Sequence, residues 1–122
     1  MILLPVFLFV AAVSFPPMPA GFKVKGDVEK GEQLYQTNCA LCHGARGNGK
    51  GLAGASLNPP PGDFTHPRKL KTKSDWQRFL IIRDGGQKYG LSPSMASYGS
   101  IFKEQDIKEI ILFINSFKGN AS

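Results

Sequence analysis

The 122-residue chain is poorest in the residues that most often carry catalytic or metal chemistry. It has two cysteines, two histidines and one tryptophan, and both cysteines lie within four positions of each other. A zinc site needs about four ligands, and His66 is the only histidine or cysteine outside that cluster, so zinc lacks its donors. No βαβ pattern surrounds the cysteines, which removes the setting of a thioredoxin-like dithiol. Acidic residues are scarce as well, 9 against 15 basic, for a net charge of +6. The lysines are scattered and no nucleic-acid motif accompanies them, so a basic surface facing acidic partners is the better reading. No apolar run reaches the roughly 20 residues that span a membrane. There is no internal repeat and no run of alternating strands, and the length fits one domain.

What is there centres on Cys39-Ala40-Leu41-Cys42-His43. This is C-x-x-C-H, the attachment signature of a c-type haem. Thiols at this spacing reach both vinyl groups of one porphyrin, and the next side chain, the His43 imidazole, lies beneath the iron as the proximal ligand. A backbone carbonyl is expected to accept the Nδ1 proton of His43 and fix the ring.

The second axial ligand is sought among soft donors. Met95 lies in a polar loop, Leu91 to Ser97, with no amphipathic face to fill. Met1 starts the chain and Met18 belongs to the N-terminal segment. A thioether stabilises ferrous iron and raises the potential, so Met95 is the expected sixth ligand. The competing reading is His66, whose ordinary role is an exposed loop residue.

Helical spacing and end signals predict three main helices. The first runs from Asp27 to about Ala40, with Asp27 as N-cap and Glu29 at the positive end. The second runs from Ser74 to about Arg83, opened by a Ser74/Gln77 capping box and closed by Gly85-Gly86. Trp76, Phe79, Leu80 and Ile82 form its apolar face, and the Trp76 indole could reach a haem propionate. The third runs from Phe102 to Phe117, its apolar face made by Ile107, Ile110, Ile111, Ile114 and Phe117, with Glu104 and Lys108 paired on the wet side and Gly119 beyond its end. Tyr35 is read as core. Gly44 to Gly62 is a glycine-rich loop without the G-K-[ST] ending of a phosphate cradle. The run Arg68 to Lys73 is a solvated or docking surface.

Met1 to Ala20 carries no charged side chain, and Ile2 to Phe15 is apolar before Pro16, Pro17 and Pro19 interrupt it. This is expected to be a signal peptide, or else a short membrane anchor, although no basic residue precedes Lys23. Ala12 and Ser14 allow cleavage after Ser14, and cleavage after Ala20 is the alternative. No cysteine follows the run, which argues against a lipid anchor. Residues 21–26 are read as a linker and 27–118 as the folded domain. About 100 residues remain after removal of a leader, a small core in which a buried haem supplies much of the apolar centre.

The stretch Cys39 to Gly51, C-A-L-C-H-G-A-R-G-N-G-K-G, resembles the C-x-x-C-H-G-x-x-G-x-G-x-G of bacterial class I monohaem cytochromes c. The resemblance extends through Met95-Ala96-Ser97-Tyr98-Gly99 and the last helix, from about Gly26 to Phe117. It implies a small all-α fold of three to five helices around one haem c attached through Cys39 and Cys42, with N- and C-terminal helices crossing at Gly31. It also implies a proline carbonyl behind His43, from Pro59, Pro60 or Pro61, and haem packing by Tyr98. Ala96 departs from the family's usual proline. The implied function is one-electron transfer outside the cytoplasm, by a soluble monomeric carrier or by a subunit of a larger membrane-associated respiratory or dehydrogenase complex. A haem sensor or enzyme would need an open sixth position. Redox proteins with acidic surfaces are the expected partners, and membrane association through the N-terminal segment accompanies the anchor reading.

Overall fold

The computed structural model describes residues 1–8 and 14–117. The expectations resting on Ala12 and Gly119 lie outside the described residues. Five α-helices are present: α1 (Val28–Asn38), α2 (Ala40–His43), α3 (Pro67–Leu70), α4 (Asp75–Asp84) and α5 (Glu104–Ser116). Two single 3-10 turns, Gly54–Ser56 and Gln87–Tyr89, complete the helical content, and no strand occurs among the described residues. The all-α architecture expected from the sequence is the one found.

Helix α1 begins where its cap predicts. The Asp27 carboxylate accepts the backbone N–H groups of Glu29 and Lys30 at 3.0 and 3.2 Å, satisfying donors that a helix start leaves free. It ends two residues earlier than expected. Thr37 Oγ1 and Asn38 Nδ2 both donate to carbonyls four residues back, Gln33 and Leu34, at 2.9 Å. Such side-chain bonds compete with the helical ladder. Cys39 then breaks the run, and α2 restarts as one separate turn.

The capping box of α4 forms as read, with Gln77 N–H on Ser74 Oγ at 3.2 Å and Ser74 N–H on Gln77 Oε1 at 2.9 Å. Phe79, Leu80, Ile81 and Ile82 are all buried, so α4 is covered on more sides than one apolar stripe suggests. The extra cover includes the segment before α1. Phe22 meets the rings of Trp76 and Phe79 edge-on at 4.9 and 5.4 Å. The Trp76 indole N–H donates to the Pro16 carbonyl at 2.8 Å, which corrects the expectation of a propionate contact.

Helix α5 opens at Glu104, two residues late, because the Asp106 carboxylate accepts the Lys103 N–H at 2.9 Å and sets the start there. Phe102 stays outside the helix, buried and stacked on Tyr98. The expected Glu104–Lys108 pair is absent among the described residues; Lys108 Nζ lies over the Phe22 ring at 5.3 Å.

The centre of the fold is the crossing of α1 and α5. Gly31 sits directly against the Glu109 carbonyl, where a Cβ would overlap it. Tyr35, one turn further along α1, is fully buried among Phe113 and Phe117. Lys30 closes one flank, bridging Asp106 at 2.9 Å and Glu109 at 3.6 Å. This crossing presents the end of α1, and so α2, to the rest of the molecule.

Candidate haem site

The one-turn helix α2 carries Cys42 and His43, and Cys39 caps its start. Cys39 and Cys42 are three apart and Cys39 and His43 four apart, which places the three on one helical face. Both thiols are free and half-buried. Burial, and then the neighbouring Cys42, push the Cys39 thiol up to about 12. Such a thiol stays neutral at ordinary pH, unlike an activated thiolate.

The loop after α2 folds back on it. Gly49 N–H donates to the His43 carbonyl at 2.7 Å, Gly51 N–H to Cys42 at 3.1 Å and Ala53 N–H to Leu41 at 2.9 Å. From α1, the Tyr35 hydroxyl donates to the Gly44 carbonyl at 2.7 Å. The short helix is therefore held by hydrogen bonds to its own carbonyls from the loop and to the carbonyl of its capping residue, Gly44, from α1.

His43 Nδ1 meets the carbonyl of Gly62 at 3.2 Å. A backbone carbonyl does orient the ring, but the residue is Gly62 rather than Pro59, Pro60 or Pro61. Asn58-Pro59, earlier in the same loop, is a cis peptide. Phe64 stacks on the His43 ring at 4.8 Å. Burial lowers the His43 pKa, partly opposed by the bond to Gly62, so a neutral imidazole is favoured. With Nδ1 engaged, Nε2 is the nitrogen left to bind a metal.

Met95 is half-buried and packs against the same core that Cys39, Ala40 and Tyr98 touch. Its loop hangs on the end of α4. Met95 carbonyl accepts Gly86 N–H at 2.9 Å, Ile82 carbonyl accepts Tyr98 N–H at 2.9 Å, and Arg83 carbonyl accepts Gly99 N–H at 2.9 Å and Ser97 Oγ–H at 2.6 Å. The Tyr98 phenol donates to the Asn38 carbonyl at 3.1 Å, directly before Cys39. Burial raises the Tyr98 pKa, and Cys39 and Cys42 raise it further, as proximity to both sulfurs requires.

The competing candidate, His66, does not join this arrangement: it is exposed and opens α3. Gly62, Phe64 and Asn38 are the contributors that sequence reading missed. Two act through backbone carbonyls, which leave no residue-type signal.

The residues fit a c-type haem on the chemistry of the donor set. Two unpaired thiols share a face with an imidazole whose second nitrogen is already engaged, and one loop brings a thioether to the same core. The comparisons agree. Residues 28–118 match the cytochrome c family, and the chain belongs to it. A thiosulfate dehydrogenase of Thiomonas intermedia (strain K12) is 30% identical over 97 residues, covering 76% of this chain and 31% of that protein. A cytochrome c-553-like protein of Synechocystis sp. (strain ATCC 27184 / PCC 6803 / Kazusa) is 40% identical over 48 residues, 36% of this chain and 46% of its own length. The chain thus spans less than half the length of these curated relatives. Among solved structures, the KustC0563 c-type cytochrome superposes with a TM-score of 0.57 at 22% identity, over 72% of this chain and 96% of that one. A chain of the Kuenenia stuttgartiensis reducing HAO-like protein complex Kustc0457/Kustc0458 gives 0.61 at 24% identity, over 80% and 46%. Both structural likenesses concern the fold. Membership of the family makes the cofactor a covalently bound c-type haem, carried on cysteines, and its chemistry haem-based electron transfer.

Proposed function

We propose that this chain is a one-electron carrier acting outside the cytoplasm, with haem c joined to Cys39 and Cys42, and with His43 Nε2 and Met95 Sδ as the axial ligands. The bound haem supplies an iron that alternates between Fe(III) and Fe(II). The protein's part is to hold both ligands still, so that little reorganises when the electron moves. The carrying observation is the Tyr98–Asn38 hydrogen bond, which fastens the Met95 loop to the residue before Cys39. The Gly62 carbonyl on Nδ1 raises the donor strength of His43. The polar loop around Met95 offers no distal acid–base pair, so this reading outranks a sensor or enzyme.

Exposed Leu41 of α2 and Leu52 of the loop after it lie on a groove also lined by Arg46 and Lys50. An apolar centre with a basic rim suits a brief encounter with an acidic redox partner. Export is supported by the uncharged N-terminal segment. No helix among the described residues is long and apolar enough to cross a membrane.

A second reading, a subunit held in a larger assembly, has its own support: the chain matches about a third of a thiosulfate dehydrogenase and part of a structure titled as a complex. Potentiometric titration of purified holo-protein tests the carrier function. A single reversible one-electron wave, unchanged under carbon monoxide, is expected. A wave that shifts under carbon monoxide contradicts it. Sedimentation of the native extract separates the two settings, since a free carrier runs as a small monomer.

A further inference from the structure

The segment Phe15–Lys25 precedes α1 but packs as part of the domain. Phe15 stacks on Tyr89 at 4.7 Å with an interplanar angle of 15°. Pro16 receives the Trp76 indole, Phe22 meets Trp76 and Phe79, and the Lys25 carbonyl accepts Gln105 Nε2 at 2.9 Å. It runs as a strap along α4 to the start of α5.

The far end of the strap bears on the Met95 loop through few intermediates. Tyr89 is buried, its hydroxyl donating to Asp84 and its N–H to the Gly86 carbonyl at 3.1 Å. Gly86 in turn donates its N–H to the Met95 carbonyl at 2.9 Å. Phe15 is thus linked to Met95 by one aromatic stack and two backbone hydrogen bonds. Phe22 reaches the loop by another route. It braces Trp76 and Phe79 of α4, whose last turn supplies the carbonyls that hold Ser97, Tyr98 and Gly99.

We propose that Phe15 and Phe22 are positioning residues for the Met95 ligand, and that the strap Phe15–Lys25 stays on the working protein. The proposal rests on Met95 being the sixth ligand. Met95 then stays in place because α4 and the Gln87–Tyr89 turn are clamped from outside, by chain lying before the first helix. Of the two leader cleavage positions open to the sequence, only the one before Phe15 keeps the clamp. Cleavage after Ala20 would remove the stack on Tyr89 and leave the Trp76 indole without its acceptor.

The experiment uses holo-protein expressed from the full chain with its natural export. Intact mass gives the first residue of the isolated protein. Carbon monoxide binding to the ferrous form reports how often the sixth position opens. Phe15→Ala and Phe22→Ala are compared with Lys30→Met, which loses the ion pairs to Asp106 and Glu109 at the crossing of α1 and α5. In the strap variants the carbon monoxide rate is expected to rise about tenfold through local opening, with the wild-type rate retained in Lys30→Met. Equal rates in all three variants, or an isolated protein beginning at Gly21, would overturn the proposal. A wild type that already binds carbon monoxide freely defeats it by a different route, because the Met95 reading then fails first.

Discussion

The Tyr98 phenol and the Asn38 carbonyl, sixty positions apart in sequence, are joined by a 3.1 Å hydrogen bond. One residue lies three positions after Met95 and the other immediately before Cys39. The bond therefore couples the loop that carries the thioether to the helix that carries the thiols. Tyr98→Phe removes the donor while keeping the ring stacked on Phe102. Chemical denaturation of ferric holo-protein is expected to show a loss of about 1 kcal/mol, as for a typical intramolecular hydrogen bond. An unchanged midpoint would show that the contact holds nothing.

Gly49 bears on His43, the proposed proximal ligand, through the segment that supplies its acceptor. Its φ is +78°, and a Cβ there would come within 2.7 Å of the Pro61 carbonyl and 3.3 Å of the Gly62 carbonyl. Gly49→Ala should displace the acceptor of His43 Nδ1. A weaker bond makes the imidazole a poorer donor to Fe(III). The midpoint potential is expected to rise by roughly 30–60 mV, where 59 mV is tenfold for one electron. A potential equal to wild type, or lower, contradicts the role given to Gly62.

Gly31 tests the helix crossing. A methyl group at this position has no free space against the Glu109 carbonyl, and backbone on both helices prevents a rotamer escape. Gly31→Ala gains about 1 kcal/mol of helix propensity, but overpacking costs about 1–3 kcal/mol and separates α1 from α5. Net destabilisation is expected in a thermal melt of holo-protein. A stabilised variant would mean that the crossing is looser than described.

Acid sensitivity should reside partly at the same crossing. The hydrogen bond and charge of Lys30 hold the Asp106 carboxyl below its ordinary range. A carboxylate depressed in the folded state contributes stability above its unfolded value of about 3.9 and loses it as pH falls through the folded value. Asp106→Asn keeps an acceptor for the Lys103 N–H but removes the charge. Its melting temperature should fall below wild type at neutral pH and converge with it once the pH drops below the depressed folded value of Asp106. A gap that widens on acidification contradicts the assignment.

Much of the fold was legible because its signals are local. Asp27 and the Ser74/Gln77 box set helix starts through bonds to residues two or three positions away. The isoleucine spacing of α5 needed only helical periodicity. The cofactor was legible for the same reason, since Cys39, Cys42 and His43 form one turn. What escaped depends on distant chain. The carbonyl behind His43 belongs to Gly62, nineteen positions away, and a carbonyl is common to every residue type. Lys108 turned to the Phe22 ring rather than Glu104, because a segment 80 or more positions earlier lies over α4 and α5. The Trp76 indole likewise takes its acceptor from distant chain, the Pro16 carbonyl sixty positions earlier.

Ligation by His43 and Met95 is tested most directly by the absorption spectrum of holo-protein, oxidised and reduced, with and without carbon monoxide, beside Met95→Ala. The wild type is expected to show the far-red sulfur-to-iron band when oxidised and to leave carbon monoxide unbound when reduced, and the variant to lose the band and bind the gas. A wild type without the band, or a variant that keeps it, contradicts Met95 as the ligand and with it the closed six-coordinate carrier.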